Sequence, residues 1–344
     1  MLVLSQKVAV YSRNYHQPLT AHSCSQLLTE KPVGNNITLF LCVKIKMRLL
    51  QCLVVLVLIY LLLFMLVETF KYDFMFYPEP LPFLSPRFSD PNLSVEDVYI
   101  DTPDSVKLHA WYMPHRRLNQ TDTHKTRSSK AISSSNLAGG KVGVRARLVI
   151  FLHGAGGNMY KAVEHMDMHH RLGNSVLAVD YRGFGKSTGS PSAQGLMLDV
   201  LTTWNYATQV LRYEPQQIIL HGYSLGSSLA AWLGALRTPR GIILEAPFTS
   251  LYDLIPRAVR PLFYWSMPDF QSASYIKELT CPVLIMGSED DEIVPFSHVL
   301  EMYKSVPHSQ KKLIQLTGTH LTLHHSRETQ KRLHRWIHNL QSFR

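Results

Sequence analysis

Apolar positions along the chain fall into three regimes, and each predicts a different kind of element. From Leu49 to Val67 the sequence reads LLQCLVVLVLIYLLLFMLV, with no charge and one amide, Gln51. At 1.5 Å per residue this run reaches about 28 Å, close to the roughly 30 Å hydrocarbon core of a bilayer. A core helix would carry a polar face, and a cleaved signal peptide would end in small residues. Neither feature is present, so a retained membrane helix over 49–67 is expected. The second regime begins at Leu148. Short Val/Ile/Leu-rich runs at 148–154, 175–181, 217–222, 241–247, 282–288 and 312–318 suit strands buried on both faces. Helix-length stretches at 160–172, 193–211, 225–236, 297–303 and 327–340 lie between or after them. Strands alternating with helices predict an α/β fold with a mainly parallel sheet and helices on both faces. Ahead of these, 95–101 and 106–113 read as a hairpin about Pro103-Asp104-Ser105. The third regime is polar and aperiodic, covering residues 1–48 and a Ser/Thr/Lys/Arg-rich stretch at 115–147 that cannot bury enough surface to pack.

These regimes divide the chain into a poorly ordered tail (1–48), a transmembrane helix (49–67), a linker (68–94) and an α/β body (95–344). The body carries a flexible basic insertion (115–147) and a short cap (248–281). Composition narrows the function. With 344 residues, 46% of them hydrophobic and 17% charged, the chain can bury a large core. The net charge of +10 is unevenly spread. Residues 1–48 hold six Lys/Arg against one acid, and 114–147 hold eight against one, whereas residues 148–344 are close to balanced with eighteen against fifteen. That distribution, with no recognised binding motif, argues against nucleic acid as a partner. Of four cysteines only Cys281 lies beyond residue 52, so no disulfide can form within the body, and no metal site is expected. Lys44, Lys46 and Arg48 precede the apolar run. The positive-inside rule therefore keeps the N-terminus cytoplasmic and sends the body to the lumen or exterior, a type II arrangement with the endoplasmic reticulum favoured. Sequons at Asn92 and Asn119 fall on the far side and support this weakly.

Candidate chemistry centres on Gly222-Tyr223-Ser224-Leu225-Gly226, which follows the strand run QIILHG and opens a small-residue helix. A sharp strand-to-helix turn would raise Ser224 at its apex, with glycines two residues either side to avoid collision. An activated serine needs a base oriented by an acid. After the strand run at 282–288 come Glu289, Asp290, Asp291 and Glu292, and after that at 312–318 comes His320. Asp291 is favoured as the acid over Asp290, and His320 as the base over His324 and His325. Glycines in His153-Gly154-Ala155-Gly156-Gly157-Asn158 let backbone N–H groups turn toward the serine, so the amides of Ala155 and Leu225 are the candidate oxyanion donors. No Lys-Ser/Thr pair follows these glycines, which disfavours a phosphate-binding loop.

HGAGGN, DYRGFGKS, GYSLGSSLA, EAPFTS, CPVLIMGSEDDEIVPF and GTH, in this order, resemble the α/β-hydrolase serine hydrolases over about residues 95–340. The anchored N-terminus and short cap are similar to the Bem46-like branch, which includes monoacylglycerol and lysophospholipid lipases. The resemblance implies Ser224 as nucleophile, Asp291 as acid and His320 as base, with no cofactor. It departs at Ala155, where many relatives carry Asn; the donor there is a backbone amide, so the substitution need not abolish the hole. The short cap mixes Phe263 and Trp265 with Arg257 and Arg260, a combination suited to an acyl chain and a headgroup. The expected partners are a lipid ester and the bilayer, with no protein partner. Two alternatives stay open: a protein-depalmitoylating thioesterase, whose site would have to face the cytosol, and a catalytically silent scaffold.

Overall fold

The computed structural model describes residues 36–79, 95–115, 147–258, 260, 270–323 and 326–340. The chain divides into two compact units, Met1–Leu66 and Val67–Arg344. The described part of the first unit belongs to helix α1 (Asn36–Met75). Its side chains from Leu49 to Leu63 include a continuous series of exposed Leu, Val and Ile. It is one helix long and apolar enough to cross a membrane, with a candidate span at Phe40–Asp73. The helix outruns the apolar stretch 49–67 at both ends. It takes in Lys44, Lys46 and Arg48 from the stretch expected to be a poorly ordered tail, and Glu68 to Met75 from the expected linker. Lys, Arg, Met and Glu are good helix formers, so the ladder of backbone bonds continues past the apolar limit until the Tyr77 N–H turns to the Ala155 carbonyl and Pro78 has no N–H to offer.

The second unit is built on an eight-stranded sheet. Its strands are β1 (Glu96–Asp101), β2 (Lys107–Met113), β3 (Leu148–Leu152), β4 (Ser175–Val179), β5 (Ile218–Tyr223), β6 (Gly241–Glu245), β7 (Val283–Ser288) and β8 (Lys311–Leu316). Their spatial order is β8-β7-β6-β5-β3-β4-β2-β1. Strands β3 to β8 run parallel; β1 and β2 form the antiparallel hairpin at one edge. The helices of this unit are α2 (Val163–Arg171), α3 (Ala193–Asn205), α4 (Leu225–Leu236), α5 (Leu251–Leu254), α6 (Ser272–Lys277), α7 (Phe296–Ser305) and α8 (Arg327–Asn339).

The continuous apolar runs are explained by cores on both faces of the sheet, because successive side chains point to opposite sides. Along β3, Leu148, Ile150 and Leu152 join Leu196, Val200, Leu229 and Met302 from α3, α4 and α7 on one face. Val149 and Phe151 join Met166 of α2 and Leu333, Trp336 and Ile337 of α8 on the other. Since β3 to β8 are parallel, their carboxyl ends converge on one rim, and the loops leaving that rim carry the site.

The stretch after α1 is not a free linker throughout. Tyr77 and Pro78 pair in parallel with Gly156 and Gly157, and Phe76 is buried. The cap residues Phe263 and Trp265, both sequons, and His324 and His325 lie outside the described residues.

Candidate active site

Ser224 sits between the end of β5 and the first turn of α4 with φ 52° and ψ −117°, a left-handed conformation that an L-residue adopts only when held there. Its N–H donates to the Glu245 carbonyl at 2.8 Å, and its own carbonyl accepts from the Ser227 N–H at 2.9 Å and hydroxyl at 2.6 Å. The flanking glycines are sterically required. A Cβ on Gly222 would sit 2.1 Å from the Gly226 oxygen, and one on Gly226 would sit 2.0 Å from the Leu152 oxygen. The turn is therefore tight enough to lift the serine hydroxyl clear of the sheet, and Ser224 is half-buried.

His320 follows β8 and opens a short 3-10 turn; Asp291 follows β7. Both are buried, at 5% and 7% exposure, so their hydrogen bonds are weakly screened by water. His320 Nδ1 lies 2.7 Å from Asp291 Oδ2, and Nε2 lies 3.0 Å from Ser224 Oγ. An ionised carboxylate only accepts, so the proton belongs on Nδ1 and Nε2 is left to accept from the serine hydroxyl. The other Asp291 oxygen accepts the N–H groups of Ile293 at 2.9 Å and Val294 at 2.7 Å. Burial alone would push the Asp291 carboxyl up; the hydrogen bonds from His320 and these amides outweigh it and hold the group below its ordinary value. Asp290 is exposed, and the bond to His320 is made by its neighbour.

Two contacts with no signal in the sequence pattern fix the backbone of His320. Its N–H donates to Glu292 Oε2 at 2.9 Å, and its carbonyl accepts from the Tyr223 hydroxyl, whose ring lies 5.3 Å from the imidazole. Tyr223 belongs to the serine turn and Glu292 to the acid loop, so the three loops are tied together through the histidine.

The Gly-rich loop after β3 packs on the serine turn. A Cβ on Gly154 would lie 3.4 Å from Ser224 Cβ. The Ala155 carbonyl accepts from the Tyr77 N–H, and Leu225 is the first residue of α4, so its N–H has no partner within the helix. The loop is braced from below by His153, whose Nδ1–H donates to the Gly154 carbonyl at 2.8 Å and whose ring packs 4.2 Å from Tyr181. Burial pushes the His153 pKa down, so the ring stays neutral. Arg182 in the next loop holds Asp199 through Nε and Nη2 and reaches Asp104 at 2.7 Å, fixing the DYRGFGKS segment.

One further group of ligand-type side chains lies beneath the serine turn. Nitrogens of His165 and His221 approach Glu245 Oε2 at 3.2 and 3.1 Å, and His169 Nε2 approaches His221 Nδ1 at 2.8 Å. His165, His221 and Glu245 are the residues among those described whose donor atoms are close enough to share an ion. Imidazole N–H groups donating to a buried carboxylate account for this spacing, and the Glu245 backbone carries the bond to Ser224.

The sequence profile of a family described as "Serine aminopeptidase, S33" matches residues 144–276. An uncharacterized protein of Mycobacterium tuberculosis is 31% identical over 201 residues, covering 58% of this chain and 63% of that protein. The lysophosphatidylserine lipase ABHD12 of Danio rerio is 31% identical over 185 residues, covering 45% of this chain and 46% of its own. Protein bem46 of Schizosaccharomyces pombe is 32% identical over 176 residues, 48% and 58% of the two chains. The chain thus spans about half to two thirds of the length of these relatives. Among solved structures, a Pyrococcus furiosus esterase superposes with a TM-score of 0.58 at 18% identity, over 77% of this chain and 98% of that one. A Vibrio vulnificus α/β hydrolase does so with 0.53 at 20%, over 72% and 80%. The sheet order and the strand-to-helix serine turn, with these superpositions, show the α/β-hydrolase fold, and over about half its length the chain is similar in sequence to protein bem46 and to the lysophosphatidylserine lipase.

Proposed function

We propose that the protein is a serine hydrolase that cleaves carboxylic esters of lipids, a monoacylglycerol or a lysophospholipid, through an acyl-enzyme. The observation that carries this reading is the continuous relay from Ser224 Oγ through the two His320 nitrogens to Asp291 Oδ2, with links of 3.0 and 2.7 Å. In the reaction, Ser224 Oγ attacks the ester carbonyl while His320 Nε2 takes its proton. Asp291 holds the imidazole in the required tautomer and stabilises its charged form. The tetrahedral oxyanion accepts hydrogen bonds from the amides of Ala155 and Leu225, donors that cost no reorganisation when charge develops. His320 returns the proton to the leaving alcohol. It then deprotonates a water molecule that attacks the acyl-enzyme, and the fatty acid leaves as Ser224 recovers its proton.

A lipid substrate is supported by the apolar helix α1, which would keep the body at a bilayer surface, and by the kinship with a lysophosphatidylserine lipase. Phe263 and Trp265 of the short cap are the proposed acyl contacts. The basic residues ahead of the apolar run support a type II arrangement with the body lumenal or extracellular. The test compares wild type and Ser224→Ala in cells by untargeted lipid analysis, with protease protection of the C-terminus in sealed microsomes. Monoacylglycerols or lysophospholipids that rise only in Ser224→Ala cells, with a protected C-terminus, support the reading. Unchanged lipids with an accessible C-terminus and loss of thioester cleavage would replace it by the cytosolic thioesterase.

A further inference from the structure

The chain leaving α1 returns to the active site. Tyr77 and Pro78 run parallel to Gly156 and Gly157, the Tyr77 N–H donates to the Ala155 carbonyl at 2.9 Å, and the Glu79 N–H donates to the Gly157 carbonyl at 2.9 Å. The Glu79 carbonyl accepts from Asn158 Nδ2 at 3.1 Å and from the Gly185 N–H at 3.2 Å. Asn158 in turn accepts the Tyr160 N–H at 2.9 Å, so the loop after β3 is tied at both ends. Phe76 anchors the strap. It is 3% exposed and meets Phe184 and Phe270 edge-on, at centroid distances of 6.4 and 6.5 Å. Phe184 belongs to the loop after β4, and Phe270 leads into α6 after the cap. A segment that serves only as a tether needs none of these contacts. The side chains of Tyr77 and Glu79 are exposed, and the strap works through its backbone.

We propose that Phe76–Glu79 is a positioning segment of the active site, adding a short strand to the Ala155–Gly157 loop that holds the Ala155 amide where it can donate to the oxyanion. The proposal rests on the reading of that amide as an oxyanion donor. An unbraced two-residue strand frays readily, and an oxyanion donor displaced by about 1 Å loses much of its effect on rate. The segment that joins the body to α1 is therefore part of the working site, and the hydrolase depends on its juxtamembrane chain as well as on its sheet.

The sequence offers a way to break this pairing through the backbone, since a proline ring would also press on the carbonyl its N–H had faced. Glu79 lies between Pro78 and Pro80, so Glu79→Pro deletes the N–H donated to Gly157 in a stretch already confined to extended backbone, and leaves the Glu79 carbonyl in place. Glu79→Gln keeps the N–H and removes an exposed charge that lies 4.0 Å from Lys161. Both full-length variants in detergent micelles are titrated for active sites with a fluorophosphonate. They are then assayed with p-nitrophenyl butyrate and with an alkyl trifluoromethyl ketone, whose adduct places an oxyanion in the same hole. The proposal expects kcat per active site to be about fivefold or more lower in Glu79→Pro than in Glu79→Gln, in parallel with ketone affinity, with KM within about twofold. Amide hydrogen exchange over residues 154–158 should be faster in Glu79→Pro alone. Phe76→Ala should repeat the pattern and Phe76→Leu restore most of the rate. Equal kcat and ketone affinity in Glu79→Pro and Glu79→Gln would overturn the proposal. If wild type and Ser224→Ala hydrolysed the ester equally, the proposed function would fall instead, and unchanged exchange over 154–158 would then decide separately against the clamp.

Discussion

Replacing Asp291 by Asn is nearly isosteric, yet it should disable the relay. The carboxylate serves three donors at once: His320 Nδ1 on one oxygen, and the N–H groups of Ile293 and Val294 on the other. Asn offers one accepting oxygen and one donating nitrogen. If its oxygen keeps the two backbone amides, the NH2 group faces His320 Nδ1 and selects the tautomer with the proton on Nε2. That nitrogen then points a hydrogen at Ser224 Oγ, 3.0 Å away, and cannot take the serine proton. If the amide flips, Ile293 and Val294 lose their acceptor, and the buried Val294 N–H left unsatisfied costs about 1–3 kcal/mol. The first arrangement is the cheaper, so the protein should stay folded and lose rate. A wrong-tautomer histidine in a serine hydrolase costs roughly 10⁴-fold in kcat. The assay is kcat on p-nitrophenyl butyrate per folded molecule, with Asp290→Asn as companion, expected to stay within about twofold because its side chain is exposed. An Asp291→Asn enzyme within about tenfold of wild type, or an Asp290→Asn enzyme equally crippled, would refute the reasoning.

Three further outcomes follow from the same geometry. Gly226→Ala forces a methyl to 2.0 Å from the Leu152 oxygen, so the serine turn must shift by about 1 Å; kcat should drop on the order of 100-fold, with a lower melting temperature by calorimetry. Arg182→Ala leaves Asp199 buried without its partner, and should cost about 3–5 kcal/mol, a fall of about 10 °C in melting temperature for a body of this size. Hydrogen bonds from Arg182 and then Thr102 hold the Asp104 carboxyl down at about 2. A depressed folded value stabilises above the ordinary carboxylate range, and that contribution is lost as pH falls from about 4 toward 2. Denaturant titrations across that window should show a steeper acid loss in wild type than in Arg182→Ala, and equal slopes would count against the pair.

Much of this architecture is legible in the sequence, for reasons that are local. The strands β3 to β7 read as apolar runs because both their faces are covered, and α4 begins at Leu225 as expected because the glycines of the serine turn admit little else. Where four acids stand in a row, pattern alone ranks Asp291 over Asp290 only loosely. The fold separates them by turning one carboxylate under the amides of Ile293 and Val294 and leaving the other in solvent. Contacts between distant loops leave no periodic trace. Glu292 on the His320 N–H, Tyr223 on its carbonyl, the cluster of His165, His169, His221 and Glu245, and the Phe76–Glu79 strap all join segments far apart along the chain. The helix α1 exceeds its apolar run for a related reason: helix formation follows backbone bonding and propensity, and hydropathy marks only the part that suits a bilayer.

The account stands most directly on covalent labelling of the purified full-length protein with a fluorophosphonate, read by intact mass and by peptide mapping. It predicts one adduct per chain on the peptide containing Ser224, with labelling slowed by orders of magnitude in His320→Gln. An adduct on another residue, or a Ser224 that labels equally fast without the imidazole, would contradict it.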